Sequence, residues 1–123
     1  MPEEIKKVNL NEKLELFNDY WHPKIVGELN GQQVKLAKLK GEFIWHKHDL
    51  EDELFYVIKG TLNIELRDKT ITLKPGEFVI IPKGVEHRPF AENEVSVMLF
   101  EPATTLNTGN TKSKLTKGNL EQI

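Results

Sequence analysis

Residues 41–60 read Gly-Glu-Phe-Ile-Trp-His-Lys-His-Asp-Leu-Glu-Asp-Glu-Leu-Phe-Tyr-Val-Ile-Lys-Gly. Two of the chain's four histidines, His46 and His48, stand one residue apart here in a segment that reads as extended. Strand side chains alternate faces, so positions i and i+2 project side by side and both imidazoles can reach one ion. Glu53 follows just before the apolar run Leu54-Phe55-Tyr56-Val57-Ile58, where a carboxylate can swing across a short loop to the same point. His87 comes after Pro82-Lys83-Gly84-Val85-Glu86, a turn able to return the chain from a neighbouring strand. Three neutral imidazoles and one carboxylate suit iron, manganese, nickel, cobalt or zinc, and argue against calcium and magnesium. Spacing alone leaves two alternatives open. Two surface histidines on one strand give the same pattern, and Glu51 shares the strand parity of Glu53 in the acidic run Asp49, Glu51, Asp52, which also reads as a solvated loop.

The flanking sequence is a series of short strands broken by turn residues. Asn30-Gly31 separates two apolar-rich segments, and both residues tolerate positive φ, which predicts a tight hairpin. Leu62, Ile64 and Leu66 alternate with polar residues, Arg67-Asp68-Lys69 supplies a turn, and Ile71 and Leu73 resume the alternation. Pro75-Gly76 and Pro82-Lys83-Gly84 bracket Phe78-Val79-Ile80-Ile81, and residues 95–100 are apolar on both faces, as in a strand buried on both sides. Only residues 9–20 read as helical: Leu10, Leu14 and Phe17 form a stripe, Leu16 and Tyr20 lie beside it, and Asn9 or Asn11 can cap it. This arrangement predicts an all-β sandwich or barrel. Neither a βαβ alternation nor a glycine-rich phosphate loop is present, which argues against a nucleotide-binding α/β fold.

Composition removes several function classes. The chain has 123 residues, enough for one compact domain, and a formal net charge of -2, which gives no basic field for nucleic acid. Lys35, Lys38 and Lys40 cluster in sequence and read as a solvated surface. With no cysteine there is no disulfide frame, thiolate site or thiol nucleophile. No stretch approaches the ~20 apolar residues of a membrane helix, and the N-terminus lacks the apolar core of a signal peptide, so a cytoplasmic location is the default expectation.

Residues 41–60 resemble the first motif of the cupin superfamily, G(X)5HXH(X)3–4E(X)6G, with His46, His48, Glu53 and Gly60 in register. Residues 76–87, Gly-Glu-Phe-Val-Ile-Ile-Pro-Lys-Gly-Val-Glu-His, resemble the second, G(X)5PXG(X)2H(X)3N, at Gly76, Pro82, Gly84 and His87. The chain departs from the motifs twice: four residues instead of five separate Gly41 from His46, and Ala91 stands where the second motif ends in asparagine. The resemblance, to a small single-domain cupin of the mannose-6-phosphate-isomerase-like kind, implies a double-stranded β-helix (jelly-roll) barrel. It also implies a single divalent transition metal held by His46, His48, Glu53 and His87. The expected organisation is an N-terminal extension at 1–23 with a short helix or turn, a barrel at 24–101 and a tail at 102–123. That tail either lies across the barrel through Leu106 and Leu115 or is loose.

The implied function is a metalloenzyme acting on a small polar molecule, dioxygenase-like or isomerase-like; the alternative is a non-enzymatic, metal-dependent sensor or storage protein. No catalytic residue beyond the metal ligands is identified. If the ligands face inward, Ile44, Phe55 and Val57 line the interior, while Phe43, Trp45, Tyr56 and Ile58 point outward and need cover, which fits a homodimer. His22 reads as packed or solvated, and Arg88 alternates outward from His87, a poor place for a carboxylate clamp.

Overall fold

Seven strands and one short helix follow each other in a computed structural model of the chain, which describes residues 4–111 and 113–123. Helix α1 (Leu10–Leu14) is shorter than the apolar stripe suggests. Asn9 caps it by accepting a hydrogen bond from the Glu12 amide at 3.1 Å. Asn18 and Asp19 favour turns over helix, and the Asp19 carboxylate is engaged by His22 and Lys24. What survives of the stripe is its packing: Leu14 and Phe17 bury against Leu36, while Leu16 is left outside.

Strands β1 (Lys24–Leu29) and β2 (Gln32–Glu42) form the predicted hairpin. Asn30 and Gly31 take φ of 51° and 76°, the paired left-handed conformation of a type I′ turn, whose twist matches that of the strands. Strand β3 (Glu53–Lys59) pairs with β6 (Phe78–Ile81), and β4 (Leu62–Glu65) pairs with β5 (Thr70–Leu73).

The spine is β7 (Arg88–Pro102), whose register runs along β2 from Phe90 to Pro102. At one end it also pairs with β4 through Arg88–Phe90, and at the other with β3 through Ser96–Phe100. A register shift between Leu39 and Gly41 turns the corner between these regions, and the sheet rolls into an all-β barrel. Gly60 belongs to the same corner. Its φ is +89°, and a Cβ there would lie 2.7 Å from the Glu94 carbonyl, so only glycine fits.

The lower barrel is filled by Ala37, Leu39, Phe55, Val57, Leu62, Ile64 and the inward positions of β7, Val95, Val97 and Leu99. Val95 and Val97 are fully covered and Met98 packs against α1's cluster, which bears out a strand covered on both faces. The upper end of the barrel holds the polar site.

After β7 the chain runs back over that end. The Thr104 hydroxyl donates to Glu51, the Asn110 amide donates to the Lys47 carbonyl, and the Ile123 amide donates to Ile25 on β1. Leu106 is 41% exposed, whereas Thr105 and Thr108 are buried, so this segment is held by polar contacts more than by its leucines.

Candidate metal centre

His46 and His87 come from different segments but lie opposite each other in a short antiparallel bridge. The His46 amide donates to the His87 carbonyl at 3.1 Å and the His87 amide donates back at 2.9 Å. Residues directly opposed in an antiparallel pair share a face, so both rings enter the barrel, their centroids 4.3 Å apart. His48 follows on the same face, and its carbonyl accepts from the Gly84 amide at 2.7 Å, tying the two motif segments at a further point. Glu53, the first residue of β3, completes the set from a third direction.

Ligand atoms of His46, His48, Glu53 and His87 all lie within 4.8 Å of one another, and all four residues are buried. Glu53 Oε1 is 3.3 Å from His48 Nε2 and 3.4 Å from His87 Nε2. Two donors each ~2.1 Å from one ion stand about 3 to 4 Å apart, depending on the angle between them. His46 and His87 each donate Nδ1–H to a backbone carbonyl two residues back, Ile44 and Val85, at 3.0 Å. That bond fixes the tautomer and presents the Nε2 lone pair inward. His48 Nε2, His87 Nε2 and Glu53 Oε1 are buried without a hydrogen-bond partner. Buried polar atoms are normally paired, so donors left open around one point fit a cation. The cluster could hold a metal, and its nitrogen-rich donor set is that of a transition ion.

Electrostatics agree with this reading. Burial, and then the His87 imidazole beside it, push the His46 imidazole down to about 4, so it is neutral at physiological pH. Burial by itself would push the Glu53 carboxyl up, but the polar groups of Glu101, His48 and His87 beside it outweigh burial and hold Glu53 well below the usual range. Burial and the charge on Glu53 push Glu101 well above it.

The other acids of the 49–53 run face elsewhere. Asp49 accepts from the Asn110 side chain, Glu51 from Thr104, and Asp52 from the Lys83 amide, where it caps the Pro82–Gly84 turn. Glu53 alone of that run enters the cluster.

Beside the four residues lies a cavity of about 30 Å³, room for one or two water molecules. Trp21, Leu39, Phe43, Phe55 and Leu99 form its walls, with Asn107 at one side, and among the described residues no lysine or arginine lines it. Phe43 was expected to point outward. Because β2 ends at Glu42, strand alternation does not carry through 43–45, and Phe43 is instead buried in the pocket wall, stacked on Trp21 at 4.7 Å. Trp45 does face away from the site, covered by the Arg67 guanidinium at 3.8 Å. Arg88 pairs with Glu65 at 2.9 Å on that outer side, and His22 is a half-buried partner of Asp19.

Two features are not legible in the sequence pattern as read: Trp21 lines the pocket, and Lys35, which reads as part of a solvated cluster, is buried. Lys35 is 1% exposed and donates to Glu101 at 2.8 Å. The available signal was parity, since Lys35 alternates with Ala37 and Leu39 on the inward face of β2.

Comparison with known proteins supplies independent support. A family profile described as "Cupin domain" matches residues 32–101. A cupin-2 domain-containing protein from Shewanella frigidimarina NCIMB 400 is 50% identical, with a TM-score of 0.77 over 77% of this chain and 93% of that one. Protein NMB1881 from Neisseria meningitidis is 33% identical, with a TM-score of 0.73 over 80% of this chain and 100% of its own. The uncharacterized protein YdbB of Bacillus subtilis (strain 168) is 45% identical over 64 residues, which span 51% of this chain and 57% of that relative. Among the described residues, no helix is long and apolar enough to cross a membrane.

Proposed function

We propose, from the premise that this chain belongs to the cupin family, that it binds one divalent transition-metal ion through His46, His48, Glu53 and His87 and acts on a small molecule admitted beside that ion. The observation that carries this reading is the convergence of buried, unpartnered His48 Nε2, His87 Nε2 and Glu53 Oε1 on one point. A bound iron, manganese, nickel, cobalt or zinc ion supplies a Lewis acid with positions left for a small oxygen-donor ligand. The protein's own part is orientation and exclusion. The Ile44 and Val85 carbonyls hold the His46 and His87 rings with Nε2 inward. Trp21, Phe43, Phe55 and Leu99 keep the space beside them apolar and nearly dry.

The walls also narrow the substrate. A phosphate or carboxylate group needs a cation or a nest of amides to replace its water. Lys35 is spent on Glu101 and Arg88 on Glu65. A small uncharged molecule with an apolar body and one oxygen donor fits better than a sugar phosphate, which favours a dioxygenase-like activity over an isomerase-like one. The smallness of the cavity supports a second reading, a metal-dependent binder that senses or stores a ligand without turnover.

The first reading requires open coordination. Anaerobic protein loaded with Fe(II) should bind nitric oxide and give the electron paramagnetic resonance signal of a high-spin ferrous nitrosyl. A fully loaded protein without that signal has a closed site, and the oxygen-activating reading falls.

We also propose that the protein works as a homodimer. On the outer face Leu54 lies between Ile80 and Phe100 in register, and Tyr56 lies between Phe78 and Met98. Phe78 and Ile80 are 58% and 53% exposed on β6, which pairs with β3 alone among the described strands. A second copy covers such a row most economically, because the same apolar patch can meet itself.

A further inference from the structure

The barrel wall behind Glu53 contains a buried pair of opposite charges. Glu101 on β7 and Lys35 on β2 form an ion pair at 2.8 Å with both side chains only 2% exposed. The β3–β7 register runs through Leu54 opposite Phe100, which sets Glu53 opposite Glu101. On the other side of β7, Gln33 of β2 stands opposite Glu101, and Lys35 is the next residue on the same face. Three strands thus deliver Lys35, Glu101 and Glu53 as a row of buried polar groups that leads to the histidines.

Burying a lysine and a glutamate together is a poor way to stabilise a barrel. Desolvating both ions costs about as much as their attraction returns, and well-packed apolar residues of similar volume often do as well or better. The neighbouring inward positions of the same strands, Ala37 and Leu99, are apolar. The polar pair occurs where the strand register sets Glu101 opposite a residue of the cluster.

We infer that Lys35 and Glu101 are positioning residues for Glu53, holding its carboxylate so that Oε1 faces the three imidazoles. The inference rests on Glu53 being a metal ligand. Lys35 fixes Glu101 through Oε1 and leaves Oε2, buried and without another partner, available to Glu53 across the strand pair. Without that contact Glu53 would be a flexible carboxylate at the start of a strand, free to turn away from the ion. Partners of this kind, one step removed from the ion, typically change metal affinity about 10- to 100-fold when lost.

The test uses Co(II), whose visible absorption reports ligand geometry, with affinity measured by chelator competition on the full chain. Glu101→Gln keeps the shape, an acceptor toward Lys35 and a polar group toward Glu53, and should stay within about 3-fold of wild-type affinity with the wild-type spectrum. Glu101→Leu alone leaves Lys35 unpaired and can fail to fold, so the decisive variant is Lys35→Met with Glu101→Leu, which removes both charges at once. That double variant should fold, bind Co(II) about 10- to 100-fold more weakly and, at saturation, show an altered spectrum. Wild-type affinity in the double variant overturns the inference. Weaker binding with an unaltered spectrum also overturns it, because the pair would then support only the fold. The metal reading is judged separately: wild-type protein that takes up no Co(II), or a Glu53→Ala variant that binds it as tightly as wild type, brings that reading down and the inference with it.

Discussion

His46 and His87, 41 positions apart in the chain, exchange two backbone hydrogen bonds at 3.1 and 2.9 Å and thereby set their rings side by side. The bridge is isolated and belongs to no long strand. Its consequence is that the geometry of the candidate centre is built into the backbone: the amide–carbonyl exchange fixes the Cα positions, and the Ile44 and Val85 carbonyls fix the rings. The site is preorganised, so little ordering remains to oppose ligand or metal binding.

Protein purified without chelator should therefore carry close to one transition-metal ion per chain. His46→Ala combined with His48→Ala should lose the metal and keep the fold, since the apolar core lies lower in the barrel. Elemental analysis beside circular dichroism reads both, and equal metal in the two proteins would sink the ligand assignment.

Among the acids, only Glu53 should matter strongly. Glu53→Ala should weaken metal binding by tenfold or more, on the order of the effect of losing one charged ligand. Glu51→Ala loses only a contact to Thr104 and should stay within about twofold, because an exposed surface contact contributes little. Calorimetric titration of both variants makes the comparison, and equal losses would mean that the loop as a whole supplies the charge.

The pH response of the metal-free protein follows from His46. Its imidazole is pushed down to about 4 in the folded barrel from an ordinary value of 6.5. Below 6.5 the unfolded chain takes up a proton that the folded chain refuses, so this contribution is intact above pH 6.5 and is lost progressively toward pH 4. Its size is roughly 3 kcal/mol. Glu101 works in the opposite sense, since its raised carboxyl binds a proton in the folded state first and favours folding as pH falls. The two are separated by comparing wild type with His46→Gln in urea titrations at pH 7.5 and 4.5. Wild type should lose more stability over this range than the variant; parallel losses would remove His46 as the cause.

Assembly is read most directly by light scattering, which should give about twice the 14.2 kDa chain mass. Phe78→Lys places a charge in the exposed outer row beside Tyr56 and should yield a folded monomer. A wild-type monomer at micromolar concentration would leave the row without a second copy.

Much of this was legible from residue order. The Asn30-Gly31 hairpin, the alternation in residues 62–66 and the doubly apolar 95–100 run are local patterns, and local patterns survive folding because backbone hydrogen bonding and side-chain parity act over a few residues. His46, His48, Glu53 and His87 were identifiable for a different reason. They stand at fixed spacings from turn residues, Gly60, Pro82 and Gly84 among them, so the cupin motifs they resemble are written in backbone requirements as well as in ligands.

By itself, then, the sequence determined the strand pattern and the hairpin turn, because these depend on short-range parity and turn chemistry, and its resemblance to the two cupin motifs singled out the four residues of the candidate centre. Tertiary structure alone decided that Phe43 lines the pocket, that Lys35 is buried and that Glu51 faces away from the site. Each of those outcomes depends on where a strand stops or which strand lies beside it. Phe43 turns inward because β2 ends one residue earlier, and Lys35 is covered because β7 brings Glu101 within reach of its ammonium group. A lysine's place in a barrel wall is set by a partner 66 positions away, and that distance is closed only when the sheet rolls up.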